Sequence, residues 1–365
     1  MKTIADAKGT RSLVVGGAGF VGSNLVKLLL EQGAAGVTVV DNLLSAEREN
    51  LPTDDRLTFL EGSITDDRIL NQLEDVFDYV FHLSTYHGNQ SSIADPLADH
   101  ENNTYTTIKL FERIKGFERL QKVVYSGAGC CIAEKTYGTA TATEESELVS
   151  LKNMDSPYAM SKIFGEFYCN YYHKQHGLPA VRARFQNVYG PGEVLGAGRW
   201  RGTPNTVWRN VTPTFVYNAL KQEALPLENE GRASRDFIFV ADIAKGLLLC
   251  ALNGEGGGVY NLASGVETSI RELAETINRL TENPTPIDLK PARDWDRSGR
   301  RFGSTDKSDQ EIGFKATIGL EAGLKTTIDW TKENLPFIEA QMAKHTANIQ
   351  AYNEARQAAK VLATV

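Results

Sequence analysis

One stretch near the start of the chain restricts its fold more than any other. Directly after the apolar run Ser12-Leu13-Val14-Val15 comes Gly16-Gly17-Ala18-Gly19-Phe20-Val21-Gly22-Ser23-Asn24-Leu25, which satisfies both G-x-x-G-x-x-G and G-x-G-x-x-G. Glycines at these places let a strand turn tightly into a helix and let a ligand approach the backbone. A pyrophosphate can then rest on the N–H groups and positive end of that helix. The motif alone is weak, and its position between a strand and a helical pattern is what makes it specific. Nineteen residues after Gly22 a second apolar run, residues 37–40, ends in Asp41. A carboxylate there accepts hydrogen bonds from an adenosine ribose and repels a 2′-phosphate, so the cofactor expected is NAD rather than NADP. The bland alternative is a glycine-rich turn and a surface aspartate.

The rest of the first half fits such a turn. Short β-branched runs at 13–15, 37–40, 57–60, 79–83, 123–125 and 180–185 are separated by helix-sized segments, among them 23–32, 103–115 and 157–176. Strands alternating with helices predict an α/β fold, a doubly wound (Rossmann) parallel sheet covered on both faces. Ser156-Pro157 offers a helix cap and a first-turn proline. After about residue 187 glycine, proline and arginine become frequent, which predicts a smaller interleaved α/β substrate lobe. The expected division is a dinucleotide-binding domain at 10–187 with a returning segment at about 236–264, a lobe at 188–235 and 265–332, and a peripheral C-terminal helix at 333–365. With 365 residues, 41% hydrophobic and 23% charged, the chain is long enough for this arrangement.

Charge and cysteine usage exclude other classes. The 39 basic and 46 acidic residues leave a net charge of −7, which offers no basic field for nucleic acid or an anionic membrane. Cys130, Cys131, Cys169 and Cys250 have no C-x-x-C spacing, and the histidines have no ligand-like spacing, so no metal site is expected. No apolar run reaches the roughly 20 residues of a membrane span, nor does the first stretch read as a signal peptide. The expected location is the cytoplasm.

Further motifs occur together: Phe81-His82-Leu83-Ser84, Asp95-Pro96 leading to Asn103, Tyr158-Ala159-Met160-Ser161-Lys162, Arg184-Phe185-Gln186-Asn187-Val188-Tyr189-Gly190-Pro191, and Arg235-Asp236-Phe237-Ile238. As a set, over residues 12–330, they resemble the extended short-chain dehydrogenase/reductases, in the NAD-dependent nucleotide-sugar epimerase/dehydratase branch. The stretches 85–92 and 193–214 are also similar to epimerase/dehydratases of bacterial lipopolysaccharide O-antigen loci. The resemblance implies that Gly16, Gly19, Phe20, Val21, Gly22, Asp41, Asn42, Ser63, Ile64, Leu83, Ser84, Thr85, Asn103, Tyr158 and Lys162 contact NAD. It also implies that His87, Asn187, Thr214, Arg235 and Arg300 (or Arg301) contact a nucleotide diphosphate sugar, and that the protein is a homodimer built on the helices at 103–115 and 157–176. A loop role for His87 is the alternative.

Tyr158 and Lys162, four apart, share one face of a helix. A phenol with a pKa near 10 is a poor base until a neighbouring ammonium stabilises the phenolate. In the family a third group, a Ser or Thr at the strand end, bonds the reacting hydroxyl. Here that place falls on Ala128, which leaves Ser126, two residues earlier, as the candidate, either catalytic or simply bonding backbone. Residues 127–133 contain no carboxylate, whereas 4,6-dehydration needs an added acid–base pair unless Glu134 or a distant acid supplies it. Epimerisation at C4 through a 4-keto sugar is the least demanding chemistry left, and the resemblance implies surface polysaccharide synthesis as its setting. The alternatives are UDP-uronic acid decarboxylation or 4,6-dehydration, or an NAD-binding protein with little catalysis. Arg199, Trp200, Arg201, Trp208 and Arg209 in the insertion 193–213 suit a sugar nucleotide or anionic sugar, or else a solvated loop or dimer contact.

Overall fold

The computed structural model describes residues 1–86, 88–129, 138, 141–149, 154–292 and 299–362. Its strands are β1 (Arg11–Val15), β2 (Gly36–Asp41), β3 (Leu57–Glu61), β4 (Tyr79–His82), β5 (Lys122–Ala128), β6 (Ala180–Phe185), β7 (Asn187–Tyr189), β8 (Pro226–Glu228), β9 (Ser234–Phe239), β10 (Val259–Leu262), β11 (Glu267–Ser269) and β12 (Asp288–Lys290). The helices are α1 (Phe20–Glu31), α2 (Asp67–Leu70), α3 (Asn89–Ala94), α4 (Pro96–Asp99), α5 (Thr106–Ile114), α6 (Pro157–His176), α7 (Val211–Leu220), α8 (Val240–Asn253), α9 (Ile270–Thr281), α10 (Asp306–Ile312), α11 (Leu320–Glu333), α12 (Leu335–Ala343) and α13 (Thr346–Leu362).

Seven strands pair in parallel in the order β10-β6-β5-β4-β1-β2-β3. Because side chains alternate across a strand, neighbouring apolar residues enter different cores. Val14, Val39, Phe81 and Val124 pack under α1 and α8, whereas Leu13, Val15, Val80, Val123 and Tyr125 pack under α5 and α6. This double burial is why these strands read as continuous apolar runs. The order reverses between β1 and β4, which opens a crevice at the C-terminal ends of those strands.

The smaller lobe holds the sheet β11-β9-β7, the pair β12-β8 and a third core that includes Tyr189, Phe215, Phe237, Leu273 and Leu324. Asp236 ties it to the chain returning from the main sheet, accepting from the backbone N–H groups of Ser264 and Gly265 at 2.8 and 2.9 Å.

Several boundaries differ from the sequence reading. The returning segment begins with α8 rather than near 236, because β9 pairs with β7 and β11 in the small sheet. Helix α1 starts at Phe20, as soon as the glycine turn ends. A π-helical turn, His100–Tyr105, leads into α5. The C-terminal segment is two helices, and Ile338 and His345 within it are buried. Among the described residues no helix is long and apolar enough to cross a membrane.

Candidate functional site

A cleft of about 860 Å³ runs from the glycine turn, along the C-terminal ends of β1, β2, β4 and β5, to the smaller lobe. The turn is built by close backbone approach. Gly16 has φ +84, and a Cβ on Gly22 would lie 2.2 Å from the Gly16 carbonyl oxygen. No side chain caps the first turn of α1, whose N-cap is Gly19, so its N–H groups face the cleft unblocked. Asp41 is buried at the end of β2 and accepts from the backbone N–H groups of Ala18 and Leu43 at 3.0 and 2.9 Å. Burial pushes its carboxyl up, against those bonds. Gly16, Gly19, Phe20, Val21, Gly22, Asp41, Asn42, Ser63, Ile64, Leu83, Ser84 and Thr85 all line this cleft.

Helix α6 begins as the sequence suggests: Ser156 accepts from the Ala159 N–H at 3.2 Å, and Pro157 is the first helical residue. This sets Tyr158 and Lys162 on the cleft wall beside Ser126, Gly127 and Ala128. Lys162 is buried, with Nζ 6.0 Å from the centre of the Tyr158 ring. It donates to the Ser126 carbonyl at 3.0 Å and to the Ser126 hydroxyl at 3.3 Å. That hydroxyl in turn donates to the His82 carbonyl at 3.0 Å. Ser126 therefore faces β4 and Lys162, while Ala128 ends β5 with no hydroxyl to offer. His82 is buried, and burial, then the Lys162 charge, pushes it down to about 3, so the ring is neutral. Thr107 donates to the Asn103 carbonyl and accepts from His82 Nε2; His82 Nδ1 is then the acceptor for Ser84.

Asn103 is placed differently from its neighbours in the predicted set. Asn102 and Thr106 line the cleft. The Asn103 amide is buried, donating to Asp99 at 2.8 Å and to Ser161 of α6 at 3.0 Å, and accepting from the Tyr86 N–H at 2.7 Å. It braces α6 against the loop after β4.

On the lobe side Asn187, Thr214 and Arg235 line the cleft. Arg235 is buried and donates to the Ser234 and Gly299 carbonyls. Arg300 does not join them: Glu267 holds its guanidinium at 2.7 and 2.8 Å, and Arg301 is the one that lines the cleft. His87, Cys130, Cys131, Glu134 and residues 293–298 lie outside the described residues. Cys169 and Cys250 are free and buried. The arginines of the insertion split. Arg199 donates to the Asn42 carbonyl and Arg209 to the Ser45 carbonyl, whereas Arg201 lies 5.7 Å from the Tyr86 ring.

Sequence reasoning passed over Glu193. It is buried in the cleft wall, holds the Asn210 amide through Oε1, and is pushed up to about 7 by burial, against the Asn210 bond and the Arg209 charge. No spacing signal singles out an isolated carboxylate in a glycine-rich loop.

Among the described residues, buried polar atoms of the lining that meet no hydrogen-bond partner include Ser45 Oγ, Thr85 Oγ1, Gln186 Nε2, Glu193 Oε2 and Asn218 Oδ1. Such groups are costly unless a ligand or water meets them. With the uncapped helix end and the buried Asp41, Ser45 after β2 and Thr85 after β4 make a donor and acceptor set at the strand ends that fits a dinucleotide. Among the described residues no group of three or more His, Cys, Asp or Glu could hold a metal ion.

Comparison with known proteins agrees with this geometry. The Bordetella bronchiseptica enzyme WbmF, crystallised with NAD+ and UDP, is 61% identical, covering 95% of this chain and 99% of its own, with a TM-score of 0.86. The UDP-glucose 4-epimerase of Mycolicibacterium smegmatis is 31% identical over 326 residues, 88% of this chain and 98% of the relative. The UDP-N-acetyl-alpha-D-glucosaminuronate decarboxylase of Bacillus cytotoxicus is 27% identical over 88% of this chain and 98% of its own. A family model matches residues 12–263, more than half of the chain, and with it the glycine turn, Asp41, Tyr158 and Lys162 acquire a common context: this chain belongs to the NAD dependent epimerase/dehydratase family.

Proposed function

We propose that the protein is an NAD-dependent nucleotide-sugar epimerase acting at C4 of a UDP-sugar, as a cytoplasmic homodimer, in the synthesis of a surface polysaccharide. The observation that carries the reading is the pair Tyr158 and Lys162 on the wall of the cleft that opens from the glycine turn. WbmF's crystallisation with NAD+ and UDP supports the choice of cofactor and nucleotide.

NAD held in this cleft would supply the hydride acceptor for oxidation at C4 and the hydride donor for its reversal. Gly16, Gly19, Phe20, Val21 and Gly22 take its pyrophosphate; Asp41 and Asn42 take the adenosine ribose; Ser63, Ile64, Leu83, Ser84 and Thr85 complete its wall. Tyr158, as phenolate, takes the proton of the C4 hydroxyl, and the Lys162 ammonium favours that charge. Ser126 keeps Lys162 in place, so its role is positioning. Asn103 holds α6 in register with the loop after β4. Asn187, Thr214, Arg235 and Arg301 face the nucleotide diphosphate. Residues 126–129 bring no acid–base pair to the strand end, which weighs against 4,6-dehydration.

The dimer reading rests on α6. Met160, Phe164, Phe167 and Tyr171 recur at helical spacing and are 41–53% exposed, with Leu97 and Tyr105 exposed as well. An apolar stripe of this kind on α6, flanked by Leu97 of α4 and Tyr105 of the π-helical turn, suits a self-complementary interface.

The test is to identify ligands released from the denatured purified protein by mass spectrometry, then to offer UDP-, GDP-, CDP- and dTDP-sugars. Bound NAD and a C4 epimer are expected. Carbon dioxide from a UDP-uronic acid would indicate the decarboxylase instead. No conversion of any sugar, with no reduced NAD formed, would overturn the enzyme reading.

A further inference from the structure

The insertion after β7 does not simply cover the substrate. Residues 196–209 lie between two parts of the chain distant in sequence. On one side is the loop that follows β2, residues 42–47, which carries Asn42 and Ser45 at the cleft directly after Asp41. On the other side is the C-terminal segment at α12.

Contact with the β2 loop is backbone against backbone. Gly198 has φ +83, and a Cβ there would lie 2.3 Å from the Leu44 carbonyl oxygen and 2.6 Å from Ser45 Cα. The Gly198 N–H donates to Glu47 at 2.7 Å and the Arg199 N–H to the Leu44 carbonyl at 3.0 Å. The Arg199 guanidinium reaches the Asn42 carbonyl, and Arg209 reaches the Ser45 carbonyl at 2.7 Å while also holding the Ala197 carbonyl. Carbonyls of the loop at 42, 44 and 45 are thus all gripped from the insertion.

Contact with the C-terminal segment is equally close. Gly196 has φ +73, and a Cβ there would lie 2.6 Å from the Met342 nitrogen. Buried His345 makes a 2.8 Å hydrogen bond from its ring to the Gly196 carbonyl. Lys344 pairs with Glu47, the residue that holds Gly198. Val194, Leu195, Ala197 and Ile338 form a small core of their own beneath Trp208 and Trp330.

We infer that residues 196–209 are a clasp, held from behind by α12 and His345, that keeps the β2 loop closed over the adenosine end of the cofactor and slows its escape. The inference rests on the reading of NAD as the resident cofactor. It assigns Gly198, Arg199, Arg209 and Glu47 as positioning residues for cofactor retention, whereas the sequence left the two arginines open between the substrate and a solvated loop or dimer contact.

The experiment measures exchange of bound NAD for labelled NAD in the holoenzyme, comparing the natural chain with Gly198→Ala and Glu47→Ala. The second variant, at a partly exposed side chain with no positive-φ backbone to strain, keeps the question answerable if the first fails to fold. Exchange at least about tenfold faster in either folded variant is expected, the equivalent of one or two lost hydrogen bonds. A natural chain that holds NAD while the folded variants exchange it at the same rate overturns the clasp alone. A natural chain that binds no NAD overturns the cofactor reading and the clasp with it.

Discussion

The Lys162 ammonium meets Ser126 twice, 3.0 Å from its carbonyl and 3.3 Å from its hydroxyl, while the same hydroxyl donates to the His82 carbonyl. One serine therefore couples the lysine of α6 to the adjacent strand β4. Its donor is already engaged, which separates its role from that of Tyr158.

That separation makes a graded prediction. Tyr158→Phe retains the ring packing and NAD but loses the proton acceptor, so turnover falls by at least about a hundredfold. Ser126→Ala leaves Lys162 its carbonyl partner and lowers kcat by about tenfold, with a displaced pH profile. Equal losses in the two variants would make Ser126 a catalytic group after all.

Asp41 should decide between the cofactors. The natural chain is expected to bind NAD at least about tenfold more tightly than NADP, and Asp41→Ala to narrow that ratio. Arg199 comes near this end of the cleft through the fold, yet its guanidinium is held by the Asn42 carbonyl. Calorimetric titration of both cofactors into stripped protein checks this, and comparable affinities in the natural chain would refute it.

Glu193 gives the unliganded protein a pH dependence of definite sign. Burial raises its carboxyl from 4.5 to about 7 in the folded state. Its contribution to stability is therefore fully present below pH 4.5 and is lost as the pH rises through about 7. Glu193→Gln removes that loss, so the variant should unfold at a higher temperature than the natural chain at pH 8 and show a smaller difference at pH 5. Thermal denaturation at the two pH values decides, and an unchanged gap would show that Glu193 is not the responsible group.

The α6 stripe predicts the assembly. Sedimentation at micromolar concentration should give about twice the 40.1 kDa chain mass. Phe164→Asp with Phe167→Asp should yield monomers, since two carboxylates cannot be buried there without partners. A natural chain that sediments as one copy would contradict the interface.

Local chemistry was legible in the chain itself. The glycine turn, Asp41 at a strand end, the doubly buried strands and the capped helix bearing Tyr158 and Lys162 all depend on spacing within a few residues or on one strand–helix unit, and such periodicities survive in sequence. What Ser126, Asn103, Arg300 and the insertion do depended on tertiary structure. Ser126 reads equally as catalytic or structural until β4 supplies an acceptor 44 positions away. Asn103 is turned inward by Ser161, 58 positions on, Arg300 is captured by Glu267, 33 positions back, and Arg199 and Arg209 meet carbonyls more than 150 positions earlier. A hydrogen bond is set by geometry within a few tenths of an ångström. Partners so distant along the chain leave no local pattern by which the choice among them could be read.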